Sequence, residues 1–272
     1  IFEGPDNDLN MTENTQPALM AVSLAVINVL HRQGGINIKE TLSFVAGHSL
    51  GEYSALTAAS GLDIPICARL LKLRGQAMQA AVPVGYGSMA AILGLDVKDV
   101  EDIAKSVSSD GQDGQICEAA NDNSNGQVVV SGHKEAVDLA IAKAKEVGAK
   151  KAVSLPVSAP FHCRLMAPAA QKMASALADT DIRPPVVPIV SNVTAKAETE
   201  PADIRRLLVD QVTNMVRWRE STQWMIENGA AEFYEIGAGK VLSGLIRRIN
   251  RDIQTHTVGT PQEIEDMIKA LS

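Results

Sequence analysis

The sequence predicts a mixed α/β protein in which short buried strands alternate with helices. Residues 42–46 form a short apolar run, which is followed by a glycine-bounded turn and then by a helical pattern at 52–59. This order of strand, turn and helix is typical of a central strand in a parallel sheet. Residues 84–155 read as strand, helix, strand, strand, helix and strand, which is the order of a split βαβ unit. The chain is therefore predicted to hold a larger α/β domain with a smaller one inserted.

Two helical patterns flank the predicted central strand in the chain. Residues 17–30 are rich in Ala, Leu and Val and predict a mostly buried helix that runs to the break at Gly34-Gly35. A second helix is predicted over residues 64–81, with Pro65 in its first turn, where the missing proline N–H is tolerated.

The other predicted elements follow the same alternation. In the inserted unit we predict strands at 87–94, 116–120, 127–131 and 151–155 and helices at 97–106 and 134–147. After it we predict helices at 168–178, 202–208 and 221–228 and strands at 187–190 and 232–236. The predicted boundaries are residues 84–155 for the small subdomain, with residues 1–83 and 156–272 forming the large domain.

Composition and charge fit a soluble enzyme and argue against several other classes. Hydrophobic residues make up 46% of the 272 residues, which is ordinary for a globular protein. An aromatic content of 3% and a net charge of -7 argue against a nucleic-acid-binding surface. No apolar run approaches the ~20 residues of a membrane span. The three cysteines lack metal-ligand spacing, so we expect no metal site. Their odd number argues against a disulfide framework, so we expect a cytoplasmic protein.

The turn after the predicted central strand has the G-x-S-x-G pattern of a nucleophile elbow. Its residues are Gly47, His48, Ser49, Leu50 and Gly51. The glycines permit a sharp turn that lifts the Ser49 hydroxyl above the sheet edge, and the Leu50 amide then points to where an oxyanion would form. Ser49 is therefore a candidate nucleophile and Leu50 a candidate oxyanion-hole donor. The alternative is a strand-to-helix turn that merely contains serine.

A serine nucleophile needs a base, because its hydroxyl is weakly nucleophilic at neutral pH. The five histidines are His31, His48, His133, His162 and His256. The first and last are expected at the surface, His133 as a capping or packing residue, and His48 facing away from the open side of the elbow. His162 is the best candidate because it lies in a proline-containing loop after a strand, although a packed loop histidine is the alternative. Cys163 lacks an elbow and is a weak candidate nucleophile.

The longer string GHSLGEYSAL at residues 47–56 resembles the malonyl-CoA:acyl carrier protein transacylase family and the related acyltransferase domains of polyketide synthases. Further segments match that family at residues 15–19 (TQPAL), 73–75 (LRG), 78–83 (MQAAVP), 126–129 (GQVV), 131–137 (SGHKEAV), 156–163 (PVSAPFHC) and 235–242 (EIGAGKVL). The resemblance covers nearly the whole chain. It implies an α/β-hydrolase-like large domain with a parallel sheet core and a ferredoxin-like small subdomain.

The resemblance also implies roles for three residues. His162 matches the family's Ser-x-Pro-x-His base, for which the activity is expected to rise with pH through an ordinary imidazole pKa. The main-chain carbonyl of Gln211 is expected to accept the imidazole N–H; a surface residue at a helix end is the alternative. Arg74 is expected to pair with the free carboxylate of a malonyl group, because a planar guanidinium binds a carboxylate through two parallel hydrogen bonds. On pattern alone a helical arginine is more often solvated.

The family opens with a strand and a Gly-Gln-Gly-Ser-Gln loop, which would stand before Ile1. The first glutamine of that loop is expected to supply the second oxyanion-hole amide. The alternative is that the protein lacks half of that hole. Loss of a sheet strand would leave an open edge, so we expect the loop to precede Ile1.

The resemblance implies a two-step acyl transfer with malonyl-CoA and the phosphopantetheine thiol of acyl carrier protein as substrates. No permanently bound cofactor is expected, and a monomer with no nucleic-acid or membrane partner is expected. Asn121 and Asn123 could contact pantetheine, and Lys150 and Lys151 could contact phosphates or the acidic carrier. Asparagine is also common in turns for backbone reasons, and lysine pairs are more often solvated.

Two other functions use parts of the same pattern. A serine hydrolase or thioesterase would share the elbow but needs an acid as the third member and leaves Arg74 without a role. A non-catalytic carrier-binding module would not form an acyl-enzyme. Acylation of Ser49, followed by transfer to a carrier thiol, separates these three hypotheses.

Overall fold

The computed structural model of the protein describes residues 3–109, 114–157 and 159–271. Within these ranges the helices are α1 (Asp6–Leu9), α2 (Thr12–Gly34), α3 (Ile38–Thr41), α4 (Leu50–Ala58), α5 (Ile64–Ala80), α6 (Val97–Val107), α7 (Lys134–Glu146), α8 (Ala167–Ala178), α9 (Pro201–Asp210), α10 (Trp218–Glu227), α11 (Val241–Ile249) and α12 (Pro261–Leu271). The strands are β1 (Val45–Ala46), β2 (Gly87–Leu93), β3 (Cys117–Ser124), β4 (Gln127–His133), β5 (Lys151–Ser154), β6 (Ile189–Val190), β7 (Ala197–Glu198), β8 (Glu232–Ile236) and β9 (Gln254–Val258). The protein is thus a mixed α/β structure, as predicted.

The elbow rests on a small sheet of β1, β6 and β7. Strand β1 pairs with β6 in parallel, with Val45 opposite Ile189, and β6 pairs with β7 in antiparallel orientation. Strands β8 and β9 form a separate parallel pair. Parallel pairing brings the carboxyl ends of β1 and β6 to the same edge, and the residues that follow both strands therefore meet there.

Residues 87–154 form a second unit, with an antiparallel sheet in the order β3-β4-β2-β5. Helices α6 and α7 pack on this sheet and enclose a core of small and branched side chains, among them Ile92, Val100, Val130 and Val137. The chain order of these six elements is the strand-helix-strand-strand-helix-strand order that the sequence predicts.

The larger core lies where α2, α4, α5 and α8 pack together. Leu56 and Leu71 are fully buried there, and each such side chain contributes about 1.5–3 kcal/mol through burial. Helix α5 approaches α2 closely at Gly75, where an added Cβ would lie 2.4 Å from the Glu13 Cα. Only glycine permits this contact, which brings Arg74 on α5 next to Gln16 on α2.

The two units are joined at β3. The N–H of Asp122 donates to the Val216 carbonyl and the N–H of Val216 donates to the Ala120 carbonyl, both at 2.9 Å. The buried Asp122 carboxylate also pairs with Arg219 at 2.8 Å. These contacts place the end of β3 beside the elbow.

The predicted elements differ from the structure mainly at the carboxyl end of the chain. The predicted strand at 42–46 is only Val45–Ala46, and the predicted helix at 17–30 extends over Thr12–Gly34. Helices α11 and α12 and strand β9 were not predicted. His256 lies in β9, stacked on Tyr234 with 4.8 Å between ring centroids, and is exposed, as predicted.

Within the described ranges, no helix combines the length and the apolar character that crossing a membrane requires. The same part of the chain holds no group of three or more His, Cys, Asp or Glu side chains that could bind a metal ion.

Candidate active site

Ser49 occupies the sharp turn between β1 and α4. Its backbone lies in the left-handed region, with φ 53° and ψ -110°, which is strained for a residue with a side chain. The turn closes tightly because residue 47 is glycine: an added Cβ there would lie 2.0 Å from the Gly51 carbonyl carbon. Leu50 begins α4, so its N–H belongs to the first helical turn, whose amides lack intrahelical acceptors.

Asn192 braces the elbow from the end of β6. Its Oδ1 accepts the Ser49 N–H at 2.7 Å, and its Nδ2 donates to the Gly47 carbonyl at 2.8 Å. The side chain is fully buried, so both hydrogen bonds are shielded from water. Asn192 was not among the predicted site residues, because no local pattern marks an asparagine whose partner lies 143 positions away.

His162 lies directly opposite the Ser49 hydroxyl. Its Nε2 is 2.8 Å from Ser49 Oγ, and its Nδ1 is 2.9 Å from the Gln211 carbonyl oxygen. The carbonyl can only accept, so Nδ1 carries the proton and Nε2 is free to accept the serine proton. His162 itself has φ 58°, a second strained backbone at this site.

The His162 imidazole is neutral in the free protein. Burial, and next the positive charge of Arg74, lower the pKa of His162 from 6.5 to about 3. A lowered pKa moves the pH inflection expected from an ordinary imidazole to lower pH. A neutral imidazole is the form that can accept a proton from Ser49.

Arg74 lies on the buried stripe of α5 and is only 1% exposed, which contradicts the alternative of a solvated arginine. Its Nη1 donates to Gln16 Oε1 at 2.8 Å, and its Nη2 donates to Gln211 Oε1 at 2.8 Å and to Ser49 Oγ at 3.0 Å. The Nε–H has no acceptor among the described residues. Burial lowers the pKa of Arg74 from its ordinary value.

Glu52 lies in the first turn of α4, behind the catalytic side chains, and is 2% exposed. Its Oε2 accepts from Gln211 Nε2 at 2.6 Å and from the Asn192 N–H at 3.2 Å. Burial raises the pKa of Glu52 to about 7, although both hydrogen bonds and the charge of Arg74 oppose that rise. Neither Glu52 nor Gln16 was among the predicted site residues.

Comparisons with known proteins show the family of this chain. Residues 1–264 match the family model of the acyl transferase domain. The chain belongs to the acyl transferase domain family. It is 45% identical over 271 residues to the malonyl CoA-acyl carrier protein transacylase of Bacillus subtilis, covering 100% of this chain and 83% of that protein.

Solved structures show the same relationship. The acyl-carrier-protein-S-malonyltransferase of Bartonella henselae superposes on this acyl transferase with a TM-score of 0.95 and 54% identity, covering 100% of this chain and 85% of that one. A second similar structure, a type II PKS acyl-carrier protein in complex with its malonyl-transacylase, has a TM-score of 0.93 and 42% identity, covering 98% of this chain and 84% of that one.

Gln211 lies at the end of α9 and is fully buried, which contradicts the alternative of a surface residue. Besides its carbonyl contact with His162, its side chain contacts Arg74 and Glu52, and its Nε2 donates to the Ser49 carbonyl at 3.0 Å. Only the role of the carbonyl was predicted.

The two asparagines predicted to contact pantetheine lie at the end of β3 near the elbow. Asn123 Oδ1 is 2.8 Å from His48 Nε2, so His48 reaches from the elbow to the small unit and away from the nucleophile. Asn121 is buried and forms a parallel bridge with Val216. In this acyl transferase, Asn123 is thus held by His48, and Asn121 is held by the backbone contacts that join the two units.

Lys150 and Lys151 are both exposed at the start of β5. Lys151 is paired with Leu93 across the sheet. No contact in the described part of the chain joins either lysine to Ser49, His162 or Arg74.

Two other residues considered in the sequence, Cys163 and His133, form hydrogen bonds with the backbone. Cys163 is buried and its thiol donates to the Pro160 carbonyl at 3.2 Å, and burial raises the pKa of this thiol to about 11. His133 Nδ1 accepts the Ile116 N–H at 2.9 Å. Ser158, the first residue of the Ser-x-Pro-x-His pattern, lies outside the described residues.

Proposed function

We propose that this acyl transferase moves a malonyl group from malonyl-CoA to the phosphopantetheine thiol of an acyl carrier protein, through a malonyl ester of Ser49. The observation that carries the proposal is the convergence on one hydroxyl: Ser49 Oγ lies 2.8 Å from a neutral imidazole and 3.0 Å from a buried guanidinium. A base activates the nucleophile, and a fixed cation selects an acyl group with its own carboxylate.

In the first half-reaction, His162 accepts the Ser49 proton through Nε2 while Oγ attacks the malonyl thioester carbon. Negative charge then develops on the thioester oxygen, where the Leu50 amide would donate a hydrogen bond. The carbon–sulfur bond breaks, and the imidazolium returns its proton to the departing coenzyme A thiolate. The Gln211 carbonyl, at 2.9 Å from Nδ1, holds the ring in one tautomer through both transfers.

In the second half-reaction, His162 takes the proton of the carrier thiol, which attacks the Ser49 ester. Collapse of the tetrahedral intermediate gives the malonyl thioester of the carrier, and the proton returns to Oγ. The same base and oxyanion donor serve both half-reactions, as in a ping-pong mechanism.

Arg74 would hold the malonyl carboxylate. A guanidinium has five N–H donors, and three of them donate to Gln16, Gln211 and Ser49. The Nε–H, which has no acceptor among the described residues, and one Nη1–H remain. A buried cation that has only neutral acceptors in direct contact is costly, and a substrate carboxylate offsets that cost. Arg74 thereby favours malonyl over acetyl.

We propose an α/β-hydrolase-like large domain, residues 1–83 and 156–272, and a ferredoxin-like subdomain, residues 84–155. The strand order β3-β4-β2-β5 and the elbow between β1 and α4 support this division. Pantetheine would bind where the two units meet, near Asn121 and Asn123. We place the reaction in the cytoplasm, which suits three buried, unpaired cysteines.

The test is intact-mass spectrometry of the protein mixed with malonyl-CoA, followed by addition of a holo carrier protein. We expect a malonyl adduct on the wild type, none on Ser49→Ala, and transfer of the adduct to the carrier thiol. Ser49→Ala should keep the fold, because it removes one hydroxyl. Acylation of Ser49→Ala would overturn the nucleophile assignment, and release of free malonate in place of transfer would indicate a hydrolase.

A further inference from the structure

The Glu52 carboxylate contacts both residues that hold the catalytic assembly together. Its Oε2 accepts from the Gln211 side chain at 2.6 Å and from the Asn192 backbone at 3.2 Å. The proposed reaction gives this buried acid no chemical step. Glu52 Oε2 does not contact Ser49 Oγ or His162 in the described structure, so its effect must pass through Gln211 or Asn192.

The Gln211 side-chain amide has two different ends, and each faces a matching partner. Its Nε2 donates to Glu52 and to the Ser49 carbonyl, whereas its Oε1 accepts from Arg74 Nη2. A flipped amide would direct N–H groups at the guanidinium and an oxygen at two acceptors. An ionised carboxylate can only accept hydrogen bonds, so Glu52 opposes that flip.

We propose that Glu52 is a positioning residue for Arg74, which it orients through the Gln211 side-chain amide, and that it thereby sets the preference for acyl groups carrying a carboxylate. This inference rests on the proposed function, because its consequence is measured as selectivity between malonyl and acetyl transfer.

The Ser49–His162 pair does not depend on this arrangement in the same way. His162 is held by the backbone carbonyl of Gln211, whose position does not change when the side-chain amide turns. Loss of the Glu52 acceptor therefore disturbs Arg74 and leaves the base in place. The effect should fall on malonyl transfer much more than on acetyl transfer.

Protonation of Glu52 should change the selectivity in the same direction as its replacement. A protonated carboxyl has an O–H that can donate to the oxygen of a flipped Gln211 amide. The charged and titratable groups facing Glu52 are Arg74 on α5, which favours its ionised form, Glu198 on β7, which disfavours it, and Tyr53 beside it on α4. With burial raising the pKa of Glu52 to about 7, selectivity should change near neutral pH.

The experiment compares kcat/KM for malonyl and acetyl transfer to a holo carrier protein, from about pH 6 to about pH 8. Both substrates use the same base and carry the same coenzyme A phosphates, so the malonyl-to-acetyl ratio cancels the titrations they share. In the wild type we expect this ratio to fall as the pH falls through about 7.

The variants are Glu52→Met, Glu52→Gln and, as a control, Ser54→Ala. Ser54 is a buried residue of the same helix whose hydroxyl has no partner among the described residues. Glu52→Met removes the acceptor and should lower malonyl kcat/KM by about 10- to 100-fold, and acetyl kcat/KM by less than about threefold. Glu52→Gln keeps an acceptor oxygen but cannot ionise, so its loss should be smaller and its ratio independent of pH. Ser54→Ala should behave as the wild type.

Equal losses for malonyl and acetyl in Glu52→Met would overturn the inference, since they would mean that Glu52 supports the elbow through Asn192. A wild-type ratio that stays constant across neutral pH would overturn it without any variant. A wild type that forms acetyl but no malonyl ester would instead refute the proposed function, and the inference would be refuted with it.

Discussion

Arg74 donates a hydrogen bond from Nη2 to the Ser49 hydroxyl oxygen at 3.0 Å, so guanidinium and nucleophile are in direct contact in the free protein. The Ser49 oxygen accepts from Arg74 and its proton points to His162 Nε2, at 2.8 Å. The nucleophile is thus already paired with its base. When an acyl group with a carboxylate arrives, the cation that must bind it lies beside the atom that attacks.

The first prediction concerns His162. His162→Ala should lower acetyl and malonyl transfer by about 10²–10⁴, the contribution of general acid-base catalysis. Because the pKa of His162 is lowered to about 3, wild-type acetyl transfer should show no inflection from this residue near the ordinary imidazole value of 6.5. Stopped-flow acylation across neutral pH measures both effects.

Acetyl-CoA is the appropriate substrate for that pH profile, because the proposed role of Glu52 affects acetyl transfer much less than malonyl transfer. An acetyl rate that increases with pH through about 6.5 would show that the histidine keeps an ordinary pKa in spite of its burial.

The second prediction concerns Arg74. Arg74→Ala should slow malonyl transfer by raising its transition-state free energy by about 2–5 kcal/mol, because a desolvated, charge-assisted pair between Arg74 and the malonyl carboxylate is lost. Acetyl has no carboxylate, so its transfer should be spared or improved. Arg74→Lys should restore part of the malonyl rate, since a point charge does not reproduce the guanidinium fork.

Arg74 is also buried against Gln16 and Gln211, so thermal unfolding of both variants should accompany the kinetics. If folded Arg74→Lys lost malonyl and acetyl transfer activity equally, Arg74 would have a structural role and would not select the acyl group.

The third prediction concerns Asn192, which braces the elbow through both of its side-chain groups. Asn192→Ala leaves the Ser49 N–H and the Gly47 carbonyl without these partners, at a cost of about 1–3 kcal/mol for each unsatisfied buried group. Stability should fall, and malonyl and acetyl transfer should decrease together because both use the same nucleophile. Chemical denaturation and the two transfer assays measure this. A change in the malonyl-to-acetyl ratio would contradict it.

The fourth prediction concerns the stability cost of the Glu52 carboxylate. Its pKa is about 7 in the folded protein and 4.5 as the unperturbed value, so between these pH values the folded state binds more protons than the unfolded state. The wild type should therefore lose stability as the pH rises through this window. Glu52→Gln does not titrate, and its stability relative to the wild type should increase by about 3 kcal/mol between low pH and pH above 7.

Urea denaturation at several pH values measures that difference. A stability difference that is constant with pH would mean that the pKa of Glu52 is ordinary. A variant that gains stability and loses malonyl selectivity would be the signature of a residue kept for function.

The sequence by itself determined the parts of the site that depend on local pattern. The elbow at Ser49 needs only the spacing of two glycines around a serine between a strand and a helix, and short-range sterics fix that turn. The strand-helix order of residues 84–155 likewise follows from local periodicity. The spacing of Arg74 from Leu70, Leu71, Ala77 and Met78 already placed it on the apolar stripe of α5, and this signal could have predicted its burial.

Only the tertiary structure decided which distant polar groups meet around Ser49. Gln16, Asn192 and Gln211 come from different elements, and each contacts the site through an amide whose partner is far away in the chain. Such contacts leave no periodic signal, because they depend on the packing of whole helices and on the parallel pairing of β1 with β6. The pKa shifts of His162 and Glu52 also depend on the tertiary structure, since burial is the largest cause of both shifts.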